Sequence, residues 1–200
     1  MRATSADIYR APVYEALYPH LEEFAPRDGS HALAEISGNT LNTVFGYHPR
    51  RITRLEPPAF DAQDLRTYPK EGRRFDLVYA DFVLEHIPNP WTAVQHLRSL
   101  LIPGGHLVLT TAFLFPIHGS RQDDDGQDFF RFSPAGLRAL LSGAGWEDVH
   151  AYGWGSEAAA SAVLRWQANR EDSALGIALV EAGNDLKFPV LTFAWGRRPG

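Results

Sequence analysis

The sequence predicts an α/β fold, a doubly wound and mostly parallel sheet with helices on both faces. Three observations carry this. The runs Phe75 to Asp81 and His106 to Thr111 are apolar without polar alternation (Leu77, Val78, Tyr79; Leu107, Val108, Leu109), as expected of parallel strands covered on both faces. Between them, Trp91, Val94, Leu97, Leu100 and Leu101 fall on one helical face, and parallel neighbours need such a crossover. Elsewhere, short apolar runs alternate with helical stretches to the end of the chain.

The elements follow in order. Ile8, Val13, Leu17, Leu21 and Phe24 have helical spacing and predict an amphipathic N-terminal helix over 6–24, started or interrupted near Pro12. After the breakers at 26–30, Ala32 to Ile36 reads as a buried strand ending at Ser37-Gly38. Asn39 to Phe45 is a short helix at best. Arg51 to Leu55 is a second strand, stopped by Pro57 and Pro58. The few residues between Glu56 and Asp61 are too short for a crossover of a dozen or more. The second crossover helix is therefore expected to be shortened or missing, with 60–65 a loop or vestigial edge strand. The covering helix runs from Trp91 to Leu101 and is terminated by Pro103-Gly104-Gly105. Ser133-Pro134 starts another helix, with an N-cap and a proline in its first turn, that reaches Gly143 to Gly145. Val149 to Trp154 is a strand, Ser156 to Trp166 an Ala-rich helix, Gly183 to Asp185 a turn and Phe188 to Trp195 a last strand.

Two hundred residues suffice for one α/β domain over 1–200. Within it, 1–25 is the N-terminal helix packed on the sheet and 31–198 the α/β core. A net charge of −5 with 22% charged residues lacks the basic surplus a nucleic-acid binder needs. No apolar run reaches the ~18 residues of a membrane span, and Met1 to Ile8 has no signal-peptide core, so a cytoplasmic protein with no membrane partner is expected. The absence of cysteine excludes disulfides, thiolate catalysis and thiolate metal sites. Oligomeric state is left open.

The order Phe75-Asp76-Leu77-Val78, Leu84-Glu85-His86, then Pro103-Gly104-Gly105 before Leu107 and Leu109 resembles the second half of class I S-adenosylmethionine-dependent methyltransferases. The resemblance implies a Rossmann-like sheet whose last strand runs antiparallel between the fifth and sixth, S-adenosylmethionine as cofactor, and methyl transfer to an O, N or C nucleophile of a small molecule. A ligand-binding or partner-binding relative of the same fold that does not methylate is the alternative, favoured by a glycine-poor first turn. There the family's acidic-x-Gly-x-Gly-x-Gly pattern is met by Glu35 and, one residue offset, by Gly38, with Ser37, Asn39 and Leu41 in glycine places.

The resemblance also suggests site residues. Glu35, Ser37 and Gly38 would form the cofactor turn. Glu56, at the end of the second strand, is a candidate for the ribose hydroxyls, since strand-end acids do this in nucleotide folds; otherwise it is a solvated loop carboxylate. Asp61 and Ala62 resemble the segment that brackets adenine, with Asp64 in reserve; the alternative for Asp61 is an Asx-turn. Asp81 and Phe82 would pass the methionine portion, where Phe82 or Tyr79 offers an aromatic face to the sulfonium or simply packs. His118, in the loop after strand five, is the candidate base. Asp128 and Arg131 resemble an Asp-aromatic-x-Arg segment found in a subgroup with such a histidine loop, and either bind substrate or fix the loop as an ion pair. His86 reads as a capping or packing histidine. Asp123 to Asp125 reads as a solvated tip, so no metal is assigned.

Overall fold

The computed structural model describes residues 10–69, 72, 74–118, 127–168, 183–185 and 187–200. Its strands are β1 (Leu33–Ile36), β2 (Ile52–Leu55), β3 (Phe75–Asp81), β4 (Leu101–Ala112), β5 (Glu147–Trp154) and β6 (Leu191–Arg197), in one sheet ordered β2-β1-β3-β4-β6-β5. β2, β1, β3 and β4 pair in parallel, while β6 lies antiparallel between β4 and β5. This is the mostly parallel sheet with an inserted, reversed last strand that the resemblance implies.

Side-chain alternation along the central strands explains why they lack polar positions. Leu77, Tyr79, Leu33 and Val108 point to one face, under Val13, Tyr14, Leu17 and Leu21 of α1 (Ala11–Phe24) and Ala159 and Val163 of α5 (Glu157–Ala168). Val78, Ala80, Ala34, Leu107 and Leu109 point to the other, under Val94 and Leu97 of α3 (Pro90–Leu97) and Leu137 and Leu141 of α4 (Pro134–Gly143). Both faces are dry, so a period of two along the strand selects between two apolar layers. Each fully buried leucine contributes roughly 1.5–3 kcal/mol.

The helix starts follow local chemistry. Asn89 Oδ1 accepts from the Thr92 amide (3.1 Å) ahead of Pro90, and Ser133 Oγ accepts from the Gly136 amide (3.1 Å) ahead of Pro134. Between β2 and β3 the described residues contain no helix longer than the 3-10 turn Leu65–Thr67, capped by Asp64. The second crossover is therefore shortened, as predicted, and 60–64 is irregular and unpaired, leading into that turn.

Residues 6–9 of the expected N-terminal helix lie outside the described residues, and the described part begins at Ala11, with proline in its first turn. Other boundaries differ from the sequence reading. The helix after β3 ends at Leu97, and β4 begins at Leu101, so Pro103-Gly104-Gly105 does not stop a helix. Phe75 pairs with Leu101 but Leu77 with His106, so residues 102–105 bulge from the ladder. Gly104 has φ +81°, and a Cβ on Gly105 would lie 3.0 Å from the Asp76 carbonyl oxygen; the glycines are required by this bulge. The last strand starts at Leu191 rather than Phe188, because the Phe188 amide closes a turn onto the Asp185 carbonyl. Among the described residues no helix is long and apolar enough to cross a membrane.

Candidate active site

The carboxyl ends of β1, β3 and β4 meet at one edge of the sheet, where a doubly wound fold opens its crevice. A cleft of about 560 Å³ lies there, lined by Ser37, Pro57, Phe60, Asp61, Ala62, Phe82 and His86 among others.

The first wall is the turn after β1. Ser37 adopts φ +51° and Gly38 φ +157°, so a single glycine and one strained serine make a bend for which the family pattern uses several glycines; a non-glycine in this region costs roughly 1–2 kcal/mol. Glu35 anchors the turn from beneath. Its side chain is wholly buried, Oε1 accepts from the Leu41 amide at 3.2 Å, and Oε2 has no hydrogen-bond partner among the described residues. Burial, helped by the nearby Asp81 charge and opposed by backbone amides, pushes its pKa up to about 7.

The second wall follows β2. Glu56 is exposed at the strand end, its carbonyl accepting from the Phe60 amide at 3.0 Å. Asp61 Oδ1 accepts from the Gln63 amide at 2.8 Å, so the Asx-turn is formed even though the residue lines the cleft. Ala62 is fixed by Tyr68, whose hydroxyl donates to its carbonyl at 3.0 Å.

The third wall separates two neighbours that the sequence reading took together. The Asp81 side chain is buried in a knot of donors: Tyr14 (2.8 Å), Thr40 (2.9 Å), Thr110, Tyr79 (3.4 Å) and Arg10 (3.4 Å). Its carboxylate joins α1, the β1 turn and β4, which leaves only its backbone for a ligand. Tyr79 is equally buried and offers no face to the cleft. Phe82, at φ +56°, lines the cleft, and the Arg10 guanidinium stacks 4.0 Å from its ring centroid.

At the far end stands a group of charged and imidazole side chains. Asp128 Oδ2 lies 3.1 Å from His118 Nδ1 and also accepts the His118 amide at 3.0 Å. Arg131 grips Asp128 with both terminal nitrogens and donates to the carbonyls of Pro116 (3.0 Å) and Phe130 (2.9 Å). The Asp128–Arg131 pair therefore ties 115–118 to 128–131 and orients His118. Burial would raise the Asp128 carboxyl, but hydrogen bonds from Arg131 and the His118 amide, together with the neighbouring positive charge, hold the group below its usual value. Burial lowers the His118 imidazole against the pull of Asp128.

Sequence reasoning missed two members of this group. Glu85, wholly buried, accepts from Thr111 Oγ1 (2.9 Å) and the Ala112 amide (3.3 Å), and its Oε1 is 3.7 Å from His118 Nε2. His86, read from the sequence as a capping or packing histidine, lines the cleft, and its ring is 4.9 Å from that of His118. The available signal was the Glu85-His86 pair directly after the strand that opens the crevice. The Asp123 to Asp125 stretch lies outside the described residues.

A sheet of this order, with its crevice at the carboxyl edge, is a Rossmann-like fold of the class I methyltransferase type, and a methyltransferase-domain family matches residues 14–151. The chain belongs to that family. It is similar to a ubiquinone biosynthesis O-methyltransferase of Coxiella burnetii, 31% identical over 67 residues that make up 30% of this chain and 29% of the relative. Among solved structures it is similar to Haemonchus contortus phosphoethanolamine N-methyltransferase 2 in complex with S-adenosyl-L-methionine (TM-score 0.55, 14% identity, 98% of this chain and 58% of that one). It is also similar to an S-adenosylmethionine-dependent methyltransferase from Mesorhizobium loti (TM-score 0.51, 15% identity, 92% and 98%). The chain thus spans under two thirds of the first two relatives, and at these identities the structures speak to fold alone.

Proposed function

We propose that the protein transfers the methyl group of S-adenosylmethionine to a small-molecule nucleophile. The observation that carries this reading is a cleft at the carboxyl edge of a methyltransferase-family sheet, lined by Ser37, Asp61, Ala62, Phe82 and His86, with the oriented His118 ring packed 4.9 Å from that of His86. The cofactor fits the residues present. Glu56 is free at the strand end to accept ribose hydroxyls, and Asp61 with Ala62 borders the adenine. Ser37 and Gly38 allow close approach of backbone, Glu35 keeps one carboxylate oxygen without a donor among the described residues, and the backbone of Asp81 and Phe82 passes the methionine portion. When bound, the cofactor supplies an electrophilic methyl group on a positively charged sulfur.

The protein's part is to align the acceptor with that methyl and to handle the acceptor's proton. His118 is the catalytic residue for the second task. With Nδ1 against Asp128, Nε2 carries the lone pair, and Asp128 stabilises the imidazolium that forms. Asp128 and Arg131, spent on each other and on backbone carbonyls, act on substrate through His118 and are positioning residues. The net charge of −5 favours a small acceptor over a nucleic acid. A panel of hydroxyl, amine and activated-carbon acceptors, followed by release of S-adenosylhomocysteine, tests the proposal. Turnover with one class supports it. Cofactor binding without turnover for any class supports a non-methylating member of the fold.

A further inference from the structure

We infer that Glu85, His86 and His118 form a site for a divalent transition-metal cation at the acceptor end of the cleft. Its use in catalysis rests on the methyl-transfer reading, whereas the binding of the cation does not.

The geometry supplies the ligands. Each of the three side chains offers one ligand atom, and these atoms all lie within 4.8 Å of one another. Glu85 Oε1 and His118 Nε2 are 3.7 Å apart; bonds of ~2.0–2.2 Å to a tetrahedral ion place ligand atoms ~3.3–3.6 Å apart. Small side-chain rotations therefore close the cluster on an ion.

The hydrogen bonds supply the lone pairs. His118 Nδ1 faces Asp128 Oδ2 at 3.1 Å, and His86 Nδ1 faces the Gln127 carbonyl oxygen at 2.8 Å. Both partners are acceptors, so each neutral imidazole carries its proton on Nδ1 and a lone pair on Nε2. His118 Nε2 is buried and has no hydrogen-bond partner among the described residues. The third ligand, Glu85, is wholly buried with both oxygens fixed by Thr111 and the Ala112 amide. Among the described residues its one ion-pair partner is His118. Two imidazole lone pairs thus converge on a buried carboxylate held only by neutral donors, an arrangement whose charge a cation balances. The carboxylate behind His118, itself locked by Arg131, is the outer arrangement that orients metal-binding histidines.

Two imidazoles and one carboxylate suit Zn²⁺, Mn²⁺, Fe²⁺ or Co²⁺ better than Mg²⁺ or Ca²⁺. They occupy one side of the ion, and the cleft that His86 lines leaves the other side to water or an acceptor oxygen. The base role of His118 belongs to the ion-free protein; with the ion seated, His118 Nε2 is a ligand and takes no proton, and the ion takes over activation of the acceptor. The bound acceptor hydroxyl is acidified by the ion and gives its proton to solvent water. Its oxygen then forms the O–CH₃ bond as the C–S bond breaks, and that bond's electron pair goes to sulfur. This narrows the acceptor class to hydroxyl compounds.

The test is a visible-absorption titration of the full chain with Co²⁺, with Zn²⁺ as competitor. One Co²⁺ per chain is expected, displaced by Zn²⁺. Glu85→Gln and His118→Ala should each weaken it by about 100-fold or more, and Asp128→Asn, which keeps all ligands, by about 10- to 100-fold. Calorimetric affinity for S-adenosylhomocysteine should be unchanged in Glu85→Gln and His118→Ala, which also reports that they fold; if Glu85→Gln does not, His118→Ala carries the test. No cobalt absorption at millimolar Co²⁺ with the wild-type chain overturns the inference, and an imidazolium–carboxylate pair then fills the cluster. Equal Co²⁺ affinity in all variants overturns it by placing the ion elsewhere. Loss of S-adenosylhomocysteine binding in the wild-type chain alongside intact Co²⁺ binding would refute the methyl-transfer reading and leave the cation site standing.

Discussion

Replacing Glu35 by Gln should make the ligand-free protein more stable in mild alkali while impairing its cofactor site. The Glu35 carboxyl is wholly buried, and its pKa is moved from the ordinary 4.5 to about 7, chiefly by burial. A raised value means that the folded state prefers the protonated form. Its contribution is fully present below about 4.5 and is lost as pH rises through about 7. At ~1.4 kcal/mol per tenfold, wild-type protein gives up ~3 kcal/mol across that window. Gln does not titrate, and its oxygen can still accept from the Leu41 amide, but its buried NH₂ lacks a partner and costs ~1 kcal/mol. The variant should therefore be slightly less stable at pH 5 and ~2 kcal/mol more stable at pH 8, a gain of roughly 4–8 °C in Tm for a chain of this size. Thermal melts of both proteins from pH 5 to 8.5 measure this. Parallel curves over the range would refute the burial argument. Under the proposed function, Glu35→Gln should also weaken S-adenosylhomocysteine by about tenfold at pH 8, since a charge-assisted contact is lost.

The remaining predictions concern the cleft. Glu56→Ala should weaken S-adenosylhomocysteine by about 10- to 150-fold with little change in Tm, because charge-assisted bonds to ribose contribute roughly 1.5–3 kcal/mol and the side chain is exposed; equal affinity would remove Glu56 from the site. His118→Ala should cut turnover by about 10²–10⁴ with cofactor affinity intact, and an unchanged rate would leave His118 a loop residue. Asp128→Ala strips Arg131 of its partner. Full loss of a buried pair costs ~3–5 kcal/mol, but with Arg131 24% exposed solvent screening reduces this to ~2 kcal/mol. Tm should fall by roughly 4–8 °C and kcat by more than KM changes; a Tm unchanged to within a degree would show that the loop is held by other contacts.

How far the sequence was legible depended on which interactions a residue's neighbours along the chain could reveal. Leu77 with Val78 and Leu107 with Val108 announced buried strands, because two dry faces leave no polar alternation to hide. The shortened crossover was visible because residues 56–61 lack the length for a helix. Pro103-Gly104-Gly105 misled because a helix stop and a β-bulge use the same residues, and only pairing across to Phe75 and Leu77 distinguishes them. At the site, Asp81 stood at the right strand end, yet its carboxylate is consumed by Tyr14 and Arg10 from a helix far away in sequence. His118 was found as a loop histidine without its orienting partner. That partner, Asp128, was recognised too, but the contact between them spans a loop and has no local signature. Glu85 escaped notice because a buried carboxylate looks, in sequence, like any polar residue after a strand.

The measurement that tests the central claim most directly is calorimetric titration of the wild-type chain with S-adenosylhomocysteine. It asks whether a turn with one glycine still forms a cofactor site. The account predicts saturable binding at one site per chain, competed by S-adenosylmethionine and weakened by Glu56→Ala. An absence of heat at millimolar ligand, in protein that melts cooperatively, would contradict it and leave a methyltransferase-family fold without the cofactor.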